Sequence, residues 1–244
     1  MNLIVDVGNF KVKLAVFQEN TLVSKSSIMP QTANSALEEL LNKHPKIQRA
    51  LIAASGSIPE GIVEFLESKL AVFVLDHAYQ VPYSNAYKTP ETLGLDRIAL
   101  ASAAVLNYPG KNVLVIDAGT CITYDFVTQD NTYLGGAISP GLHMRYMALN
   151  EFTAGLPLLE PLQHETLIGD TTATAMHSGV VLGMVAEIQG FIDRYKAQYA
   201  DLTVILTGGD LLFLLDHLKN GIFANSNFLL EGLNYLLELN TLHD

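Results

Sequence analysis

The sequence is poor in the residues that build covalent or metal-based frameworks. It has 244 residues and one cysteine, Cys121, so an intramolecular disulfide and a cysteine-rich metal site are both excluded. Cys121 lies within an apolar, strand-like run, which favours a buried packing residue over a nucleophile. No stretch approaches the ~20 uninterrupted apolar residues of a membrane span. We therefore expect no membrane association.

Positive charge is also scarce, with 14 Lys and Arg residues against 25 Asp and Glu and a formal net charge of −11. Nucleic acid is a disfavoured partner, because binding it depends on Lys and Arg meeting phosphates. A nucleotide remains a possible ligand, since a small site can supply its own cations and backbone N–H groups. Residues 1–5, MNLIV, lead into the first motif without a signal-peptide pattern, so we expect a cytoplasmic protein.

What the sequence does contain is an alternation of β-branched apolar runs and amphipathic stretches. This alternation predicts an α/β fold with a mixed sheet. The predicted strands are residues 2–7, 12–17, 50–54, 72–75, 113–117, 122–127 and 203–207. The predicted helices are residues 32–43, 59–69, 92–106, 172–198 and 226–239. The third helix carries ALASAAVL, whose small residues predict close packing.

An internal repeat is the strongest feature of the chain. A shift of 111 positions aligns three pairs of polar or turn residues: Asp6 with Asp117, Gly8 with Gly119, and Asn9 with Thr120. In each copy an apolar strand ends in Asp, glycine permits a tight turn, and the next strand returns antiparallel. Such a turn can offer backbone N–H groups to a phosphate while the Asp holds a cation. Two ordinary hairpins are the alternative, and the duplication favours the functional interpretation.

Two further glycine motifs occur in the second half. In LTGGD, residues 206–210, an apolar strand runs into two glycines ahead of a helical segment, which lets a ring or sugar approach the backbone. GGAISPG, residues 135–141, is interpreted as a glycine-proline loop. Neither a Walker A motif nor GxGxxG is present, so any phosphate-binding machinery is of another kind.

Together these motifs resemble a known superfamily. DVGN (6–9), DAGT (117–120) and TGGD (207–210) are similar to the motifs of the duplicated actin, Hsp70 and sugar-kinase ATPases. With GLDR (94–97), DAGTCITYD (117–125) and GGAISPG (135–141), the chain resembles the type III pantothenate kinases over essentially its whole length. The resemblance implies two ribonuclease H-like halves, residues 1–111 and 112–244, with mixed sheets flanked by helices and an ATP cleft between them.

The resemblance also implies the activity and its site. The reaction is ATP-dependent phosphorylation of pantothenate to 4'-phosphopantothenate, the first step of coenzyme A biosynthesis. ATP is expected to bind the first turn, and the monovalent cation, potassium or ammonium, to bind Asp117. Mg²⁺ is expected near Asp6. The implied ATP-binding residues are Asp6, Val7, Gly8, Asn9, Phe10, Lys11, Val12, Lys13 and Thr120. The implied pantothenate-binding residues are Tyr87, Gly94, Leu95, Asp96, Arg97 and Thr172.

Asp96 is the implied general base, and a carboxylate that accepts the hydroxyl proton suits phosphoryl transfer to an alcohol. Taken alone, Asp96 is better explained as a helix-start acid favoured by the helix dipole. Arg97 is either a clamp for the pantothenate carboxylate or a solvated or ion-paired surface arginine. Tyr87 alone is a loop packing residue and Thr172 a helix cap. Phe10 and Leu211 depart from the family pattern, where Thr and Gly are usual.

Two other functions stay open. One is a kinase of the same superfamily acting on another acceptor or on polyphosphate, and the other is a non-catalytic, nucleotide-binding regulatory protein. The presence of Asp6, Asp96, Asp117 and Asp125 together disfavours the non-catalytic alternative. The resemblance further implies a homodimer, with the apolar helix at 172–192 as either its surface or an internal core helix.

Overall fold

A computed structural model describes residues 1–218 and 221–241, within which the chain forms eleven strands and eight α-helices. The strands are β1 Asn2–Val7, β2 Val12–Gln18, β3 Thr21–Ile28, β4 Arg49–Ala54, β5 Ala71–Val74, β6 Ser84–Asn85, β7 Val113–Ala118, β8 Cys121–Val127, β9 Thr132–Pro140, β10 Thr203–Thr207 and β11 Ile222–Ala224. The helices are α1 Ala33–Lys43, α2 Ile62–Glu67, α3 Leu95–Asn107, α4 Leu142–Glu151, α5 Thr172–His177, α6 Gly183–Gln198, α7 Leu211–Leu215 and α8 Phe228–Thr241.

The first compact unit comprises residues 1–109 and 227–244. Its sheet has the strand order β3-β2-β1-β4-β5, with β1 antiparallel to β2 and parallel to β4. Alternate residues of β1 and β2, with Leu3 and Leu14 among them, form an apolar core with α1 and α2. Because side chains alternate across a strand, Asn2, Ile4 and Asp6 point to the other face.

That other face is covered by α3 and α8. The small residues of ALASAAVL do permit close packing here, as predicted: a β-carbon at Gly232 of α8 would come within 3.0 Å of the carbonyl oxygen of Ala99 in α3. Beneath the helices, the buried amide of Asn2 donates to Oδ1 of Asn234 over 2.9 Å. Arg49 pairs with Glu238 over 2.9 Å. The last helix is thereby tied to the first sheet.

The compact units therefore differ from the predicted halves at the C-terminal end. The sequence predicted that residues 112–244 form the second half, whereas residues 227–244 cluster with the first unit. The physical reason is the α3–α8 packing and the polar contacts of Asn2 and Arg49 with α8. The repeated Asp-x-Gly turn in the sequence did not indicate that the C-terminal helix α8 packs on the first unit.

The second compact unit comprises residues 110–226. Within it the strands lie in the order β11-β10-β7-β8-β9, with β7 antiparallel to β8 and parallel to β10. This is the arrangement of the first unit repeated, and Asp117 occupies on β7 the place that Asp6 occupies on β1. The structure therefore shows two mixed sheets with flanking helices.

One long helical segment, Thr172–Gln198, joins α5 to α6 through a π-helical turn at Ser178–Leu182. Among the described residues it alone is long and apolar enough, by length and composition, to cross a membrane. Val180, Val181, Met184, Ile188 and Ile192 on this segment are buried in the core of the second unit. The internal core helix is therefore an adequate explanation of its apolar character.

All predicted strands and helices are present, and the differences lie in their ends and in the missed elements. Helix α2 starts at Ile62, three residues later than predicted, because Gly61 adopts a left-handed φ of 82°. The glycine-proline loop was wrong: GGAISP belongs to strand β9. Gly136 lets β9 lie close to β8, since a β-carbon there would overlap the carbonyl group of Tyr124.

Candidate active site

The β1–β2 turn of the first unit is tight and pinned. The ladder ends at the Val7–Val12 pair, and Gly8 N–H donates to the carbonyl of Lys11 over 3.0 Å. The carbonyl of Val7 accepts from the backbone N–H of Ser55 over 3.1 Å. Asn9, Phe10 and Lys11 are exposed at the turn. Backbone and side-chain donors are thus presented outward from a fixed base, as a phosphate-binding turn requires.

Asp6 is the buried carboxylate behind this turn. It faces Lys13 across the β1–β2 ladder, with Nζ of Lys13 3.1 Å from Oδ2. Burial raises the pKa of Asp6 above its ordinary value, the Lys13 ammonium opposes that shift, and the carboxylate of Asp96 adds to it. Asp6 and Asp96 therefore lie within electrostatic range of each other, and the pair favours a bound cation.

Asp96 is the second residue of α3 and lies in its first turn, two positions after the Gly94 N-cap. Its Oδ1 accepts a hydrogen bond from the backbone N–H of Arg97 over 2.8 Å. A β-carbon at Gly94 would come within 3.0 Å of this same oxygen, so glycine leaves room for the carboxylate. The helix-start role of Asp96 is real, and it holds the carboxylate in one orientation.

Arg97 is 5% exposed, which contradicts the interpretation of it as a solvated surface residue. Its guanidinium lies 5.7 Å from the ring centroid of Tyr87, within range of a cation–π contact. Tyr87 is itself half-buried, and its backbone N–H donates to Oδ1 of Asn85 over 3.0 Å. The structure thus brings together Tyr87, Asp96 and Arg97, three of the predicted substrate residues.

The β7–β8 turn of the second unit repeats the first. Gly119 N–H donates to the carbonyl of Cys121 over 2.9 Å, Asp117 is half-buried at the end of β7, and Thr120 is exposed. Cys121 is half-buried at the first position of β8.

Two other glycine segments converge on this turn. Gly141, which follows β9, donates its N–H to the carbonyl of Thr120 over 3.1 Å. Gly208, which follows β10, has φ 101°, and a β-carbon there would come within 3.0 Å of both the carbonyl oxygen of Ala118 and Oδ1 of Asp117. Three motifs that are far apart in the chain therefore form one set of backbone loops.

Asp210 fastens these loops together and was missed as a functional candidate. Its backbone N–H donates to the carbonyl of Ala118 over 2.9 Å. Its carboxylate accepts from the N–H of Leu142 at the start of α4, whose N-cap Gly141 offers no side-chain cap. Burial raises the pKa of Asp210, and nearby His143 and the Leu142 N–H oppose the shift. The sequence feature that could have identified Asp210 is its position as the last residue of the TGGD motif.

Three other residues singled out in the sequence differ in their structural environments. Asp125 is fully buried and accepts from the hydroxyls of Thr123, over 3.0 Å, and Tyr133, over 2.7 Å. Leu211, where the family usually has glycine, is 4% exposed in the second core. Phe10, the other departure, is 71% exposed at the first turn.

Thr172 is the predicted substrate residue that belongs to the second unit. It is exposed at the first position of α5, and the helix cap is Thr171, whose side chain accepts from the N–H of Thr174. The interpretation of Thr172 as the cap was therefore wrong by one residue. Over the described part of the chain, no hydrogen bond joins its side chain to the loops around Asp117.

Residues 1–218 and 221–241 contain no group of three or more His, Cys, Asp or Glu side chains placed to hold a metal ion. The candidate cation ligands are instead the Asp6 carboxylate, with Asp96 in electrostatic range, and the Asp117 carboxylate. This pattern fits Mg²⁺ held by one or two carboxylates together with substrate phosphates, and it does not fit an all-protein metal cage. At Asp117 the carboxylate lies beside the carbonyl of Ala118, a pair of oxygen ligands suited to a hard cation.

Comparison with known proteins gives a consistent result. Residues 2–194 match the family model for type III pantothenate kinase. The chain is 49% identical over 240 residues to the type III pantothenate kinase of Christiangramia forsetii, covering 98% of this chain and 99% of that protein. It is 48% identical over 234 residues to the enzyme of Flavobacterium johnsoniae, covering 96% of each.

Solved structures show the same fold at low sequence identity. A Baf family protein from Campylobacter jejuni superposes with a TM-score of 0.63 at 21% identity, covering 98% of both chains. A glucokinase from an Antarctic psychrotroph superposes with a TM-score of 0.52 at 13% identity, also covering 98% of both. These likenesses confirm the predicted actin-like, α/β architecture.

Proposed function

This chain belongs to the type III pantothenate kinases, and from that premise we propose a role for each residue of the candidate site. The enzyme phosphorylates pantothenate with ATP, which is the first step of coenzyme A biosynthesis. Phosphoryl transfer has three requirements: the pantothenate hydroxyl must be aligned with the γ-phosphate, the negative charge of the phosphates must be neutralised, and the hydroxyl proton must be removed.

Asp96 is the general base. The single observation that carries this role is the grouping of three residues: Asp96 and Arg97 lie in the first turn of α3, and the Tyr87 ring lies beside Arg97, while the Asp96 carboxylate is within electrostatic range of Asp6. The Arg97 N–H holds Oδ1 of Asp96, which orients the carboxylate toward one direction of proton transfer. As the pantothenate hydroxyl attacks phosphorus, its proton passes to this carboxylate.

Arg97 holds the carboxylate of pantothenate. A guanidinium presents a planar fork that matches a carboxylate with two parallel hydrogen bonds. Arg97 is buried, so the pair forms in a medium of low polarity, and Tyr87 packs against its face. Gly94 and Leu95 complete the segment around the substrate, and we assign Thr172 to the same substrate from the family resemblance alone.

ATP is bound by the two turns. Residues 6–13 form the first phosphate-binding turn, with its exposed donors and the ammonium of Lys13. Thr120, exposed on the matching second turn, contacts ATP through its hydroxyl. Gly209, where a β-carbon would have no atom within 4 Å, leaves the backbone open for the nucleoside.

Two cations complete the site. Asp6 fits Mg²⁺, since its carboxylate is buried with a raised pKa and gains from a nearby positive charge. Asp117 fits potassium or ammonium, with oxygen ligands from its own carboxylate and from the nearby main-chain carbonyl of Ala118. When bound, these ions supply charge neutralisation for the phosphates; the side chains supply position and the base. We further propose a cytoplasmic homodimer with no nucleic-acid partner.

Asp96→Asn tests the central assignment, because it keeps the shape of the side chain and removes the base. We expect turnover to fall by roughly 10²-fold or more with pantothenate binding retained. Asp76→Asn is the matched control, since Asp76 is an exposed carboxylate of the same unit that also accepts a backbone N–H. Near-normal turnover in folded Asp96→Asn would refute the assignment, whereas a loss shared by both variants would point to a general effect of the substitution.

A further inference from the structure

A charged network lies behind the second nucleotide turn, among residues to which the proposed function gives no role. Arg145, on α4, donates from Nη2 to Oε2 of Glu187 on α6 over 2.6 Å. The same nitrogen donates to Oγ of Ser139 over 2.9 Å. The hydroxyl of Tyr124, on β8, donates to Oε1 of Glu187 over 3.0 Å. One guanidinium and one carboxylate therefore connect two strands and two helices.

The network reaches the nucleotide turn through one peptide group. Nε of Arg145 donates to the carbonyl oxygen of Pro140 over 2.9 Å. The other end of that peptide, the N–H of Gly141, donates to the carbonyl of Thr120 over 3.1 Å. The peptide between Pro140 and Gly141 is thus held at both ends, on one side by Arg145 and on the other by the turn residue proposed to contact ATP.

The Arg145–Glu187 ion pair is largely buried, which is expected of a fixed structural contact and not of a mobile surface pair. The side chains of Arg145 and Glu187 are 19% and 24% exposed, so their attraction is screened less than that of an exposed pair. Burial raises the pKa of Glu187, but the hydrogen bonds from Arg145, Ser139 and Tyr124 and the positive charge of Arg145 together outweigh burial, so the net shift of the pKa is downward. The carboxylate therefore stays charged and keeps Arg145 aimed at Pro140.

We propose that Arg145 is a positioning residue for ATP: by holding the carbonyl of Pro140, it orients the Gly141 N–H that fixes Thr120 in the second nucleotide turn. Glu187 orients Arg145 in turn. This inference rests on the proposed contact between Thr120 and ATP. Neither Arg145 nor Glu187 touches the substrates in this account.

The test combines kinetics with amide hydrogen exchange on the purified enzyme. For Arg145→Met we expect the KM for ATP to rise about tenfold, the size of one lost charge-assisted hydrogen bond, with the KM for pantothenate unchanged. Exchange of the Gly141 amide, followed in a peptide spanning residues 134–142, is expected to accelerate while the core strands stay protected. Arg194→Met is the matched control, because Arg194 is an exposed arginine of the same unit.

Each outcome decides the inference. Unchanged Gly141 exchange overturns it, as does an equal rise of both KM values. Thr120→Val, measured in parallel, separates the two levels: if it raises the KM for ATP and Arg145→Met does not, the positioning role is wrong and the proposed function stands. If Thr120→Val is also silent, the proposed ATP contact fails and the inference falls with it. Should Arg145→Met fail to fold, Glu187→Gln, which keeps an acceptor but removes the charge, takes its place with the same readouts and a smaller expected effect.

Discussion

Adjacent glycines in the TGGD segment provide a sharp test of how the second set of loops is built. Gly208 has φ 101°, and a β-carbon there would come within 3.0 Å of the Ala118 carbonyl oxygen and of Oδ1 of Asp117. Gly209 has no such contact within 4 Å and no positive φ. Gly208→Ala and Gly209→Ala therefore add the same methyl group to two neighbouring positions with opposite steric consequences.

The magnitude follows from two terms. An L-residue in a left-handed conformation costs about 1–2 kcal/mol, and forcing extra volume into a packed site costs about 1–3 kcal/mol. Part of the second term is relieved if Asp117 moves away, because a side chain yields more readily than a backbone carbonyl. We expect Gly208→Ala to lower the free energy of unfolding by about 2–4 kcal/mol, and Gly209→Ala to change it by less than about 0.5 kcal/mol.

Urea unfolding followed by circular dichroism measures this difference, and the kinase assay measures its consequence. Because Gly208→Ala pushes on Asp117, we expect it to reduce activation by potassium as well as stability. Gly209→Ala is the control for stability alone, since its methyl group lies where the nucleoside is proposed to bind. Equal stability of the two variants would refute the close approach of the Gly208 loop to the β7–β8 turn.

Two further predictions concern the buried carboxylates. Asp117→Asn is expected to remove most of the activation by potassium while leaving the fold intact; an unchanged ratio of rates in potassium and sodium salts would show that Asp117 does not hold the cation. Asp6→Asn is expected to raise the free energy of unfolding at neutral pH. The reason is that the folded-state pKa of Asp6 is raised above 3.8. The wild-type protein therefore has its full stability below pH 3.8 and loses part of it as the pH rises through the folded pKa of Asp6. Urea unfolding between pH 4 and pH 7.5, without nucleotide, checks this: the advantage of the variant must shrink toward pH 4, and a gap independent of pH would contradict it.

Local patterns predicted much of this fold because they report local physics. The strands before Asp6 and Asp117 are apolar on both faces, and the turns after them need glycine, so the hairpins and their duplication could be read directly. The helix that carries Asp96 was also predicted from its alanine-rich amphipathic run, although α3 begins at Leu95, three residues later than predicted. These features depend on neighbours within a few positions of the chain.

What the sequence did not reveal depends on contacts between distant segments. Helix α8 joins the first unit because Gly232 fits against Ala99 and Asn234 meets Asn2, more than 100 positions away in each case, and no local pattern announces such pairs. GGAISPG was interpreted as a loop because glycine and proline disfavour strands, yet Gly136 is required where β9 approaches Tyr124. Asp210 lies inside TGGD and Arg145 lies four residues after GGAISPG, but their roles become visible only through the backbone groups that they hold.

Direct detection of product by mass spectrometry tests the central claim most directly. Purified protein is incubated with ATP, Mg²⁺ and pantothenate, in potassium chloride and in parallel in sodium chloride, without coupling enzymes that themselves respond to potassium. The account predicts 4'-phosphopantothenate in an amount that depends on potassium. Folded protein that yields no 4'-phosphopantothenate in either salt would contradict it.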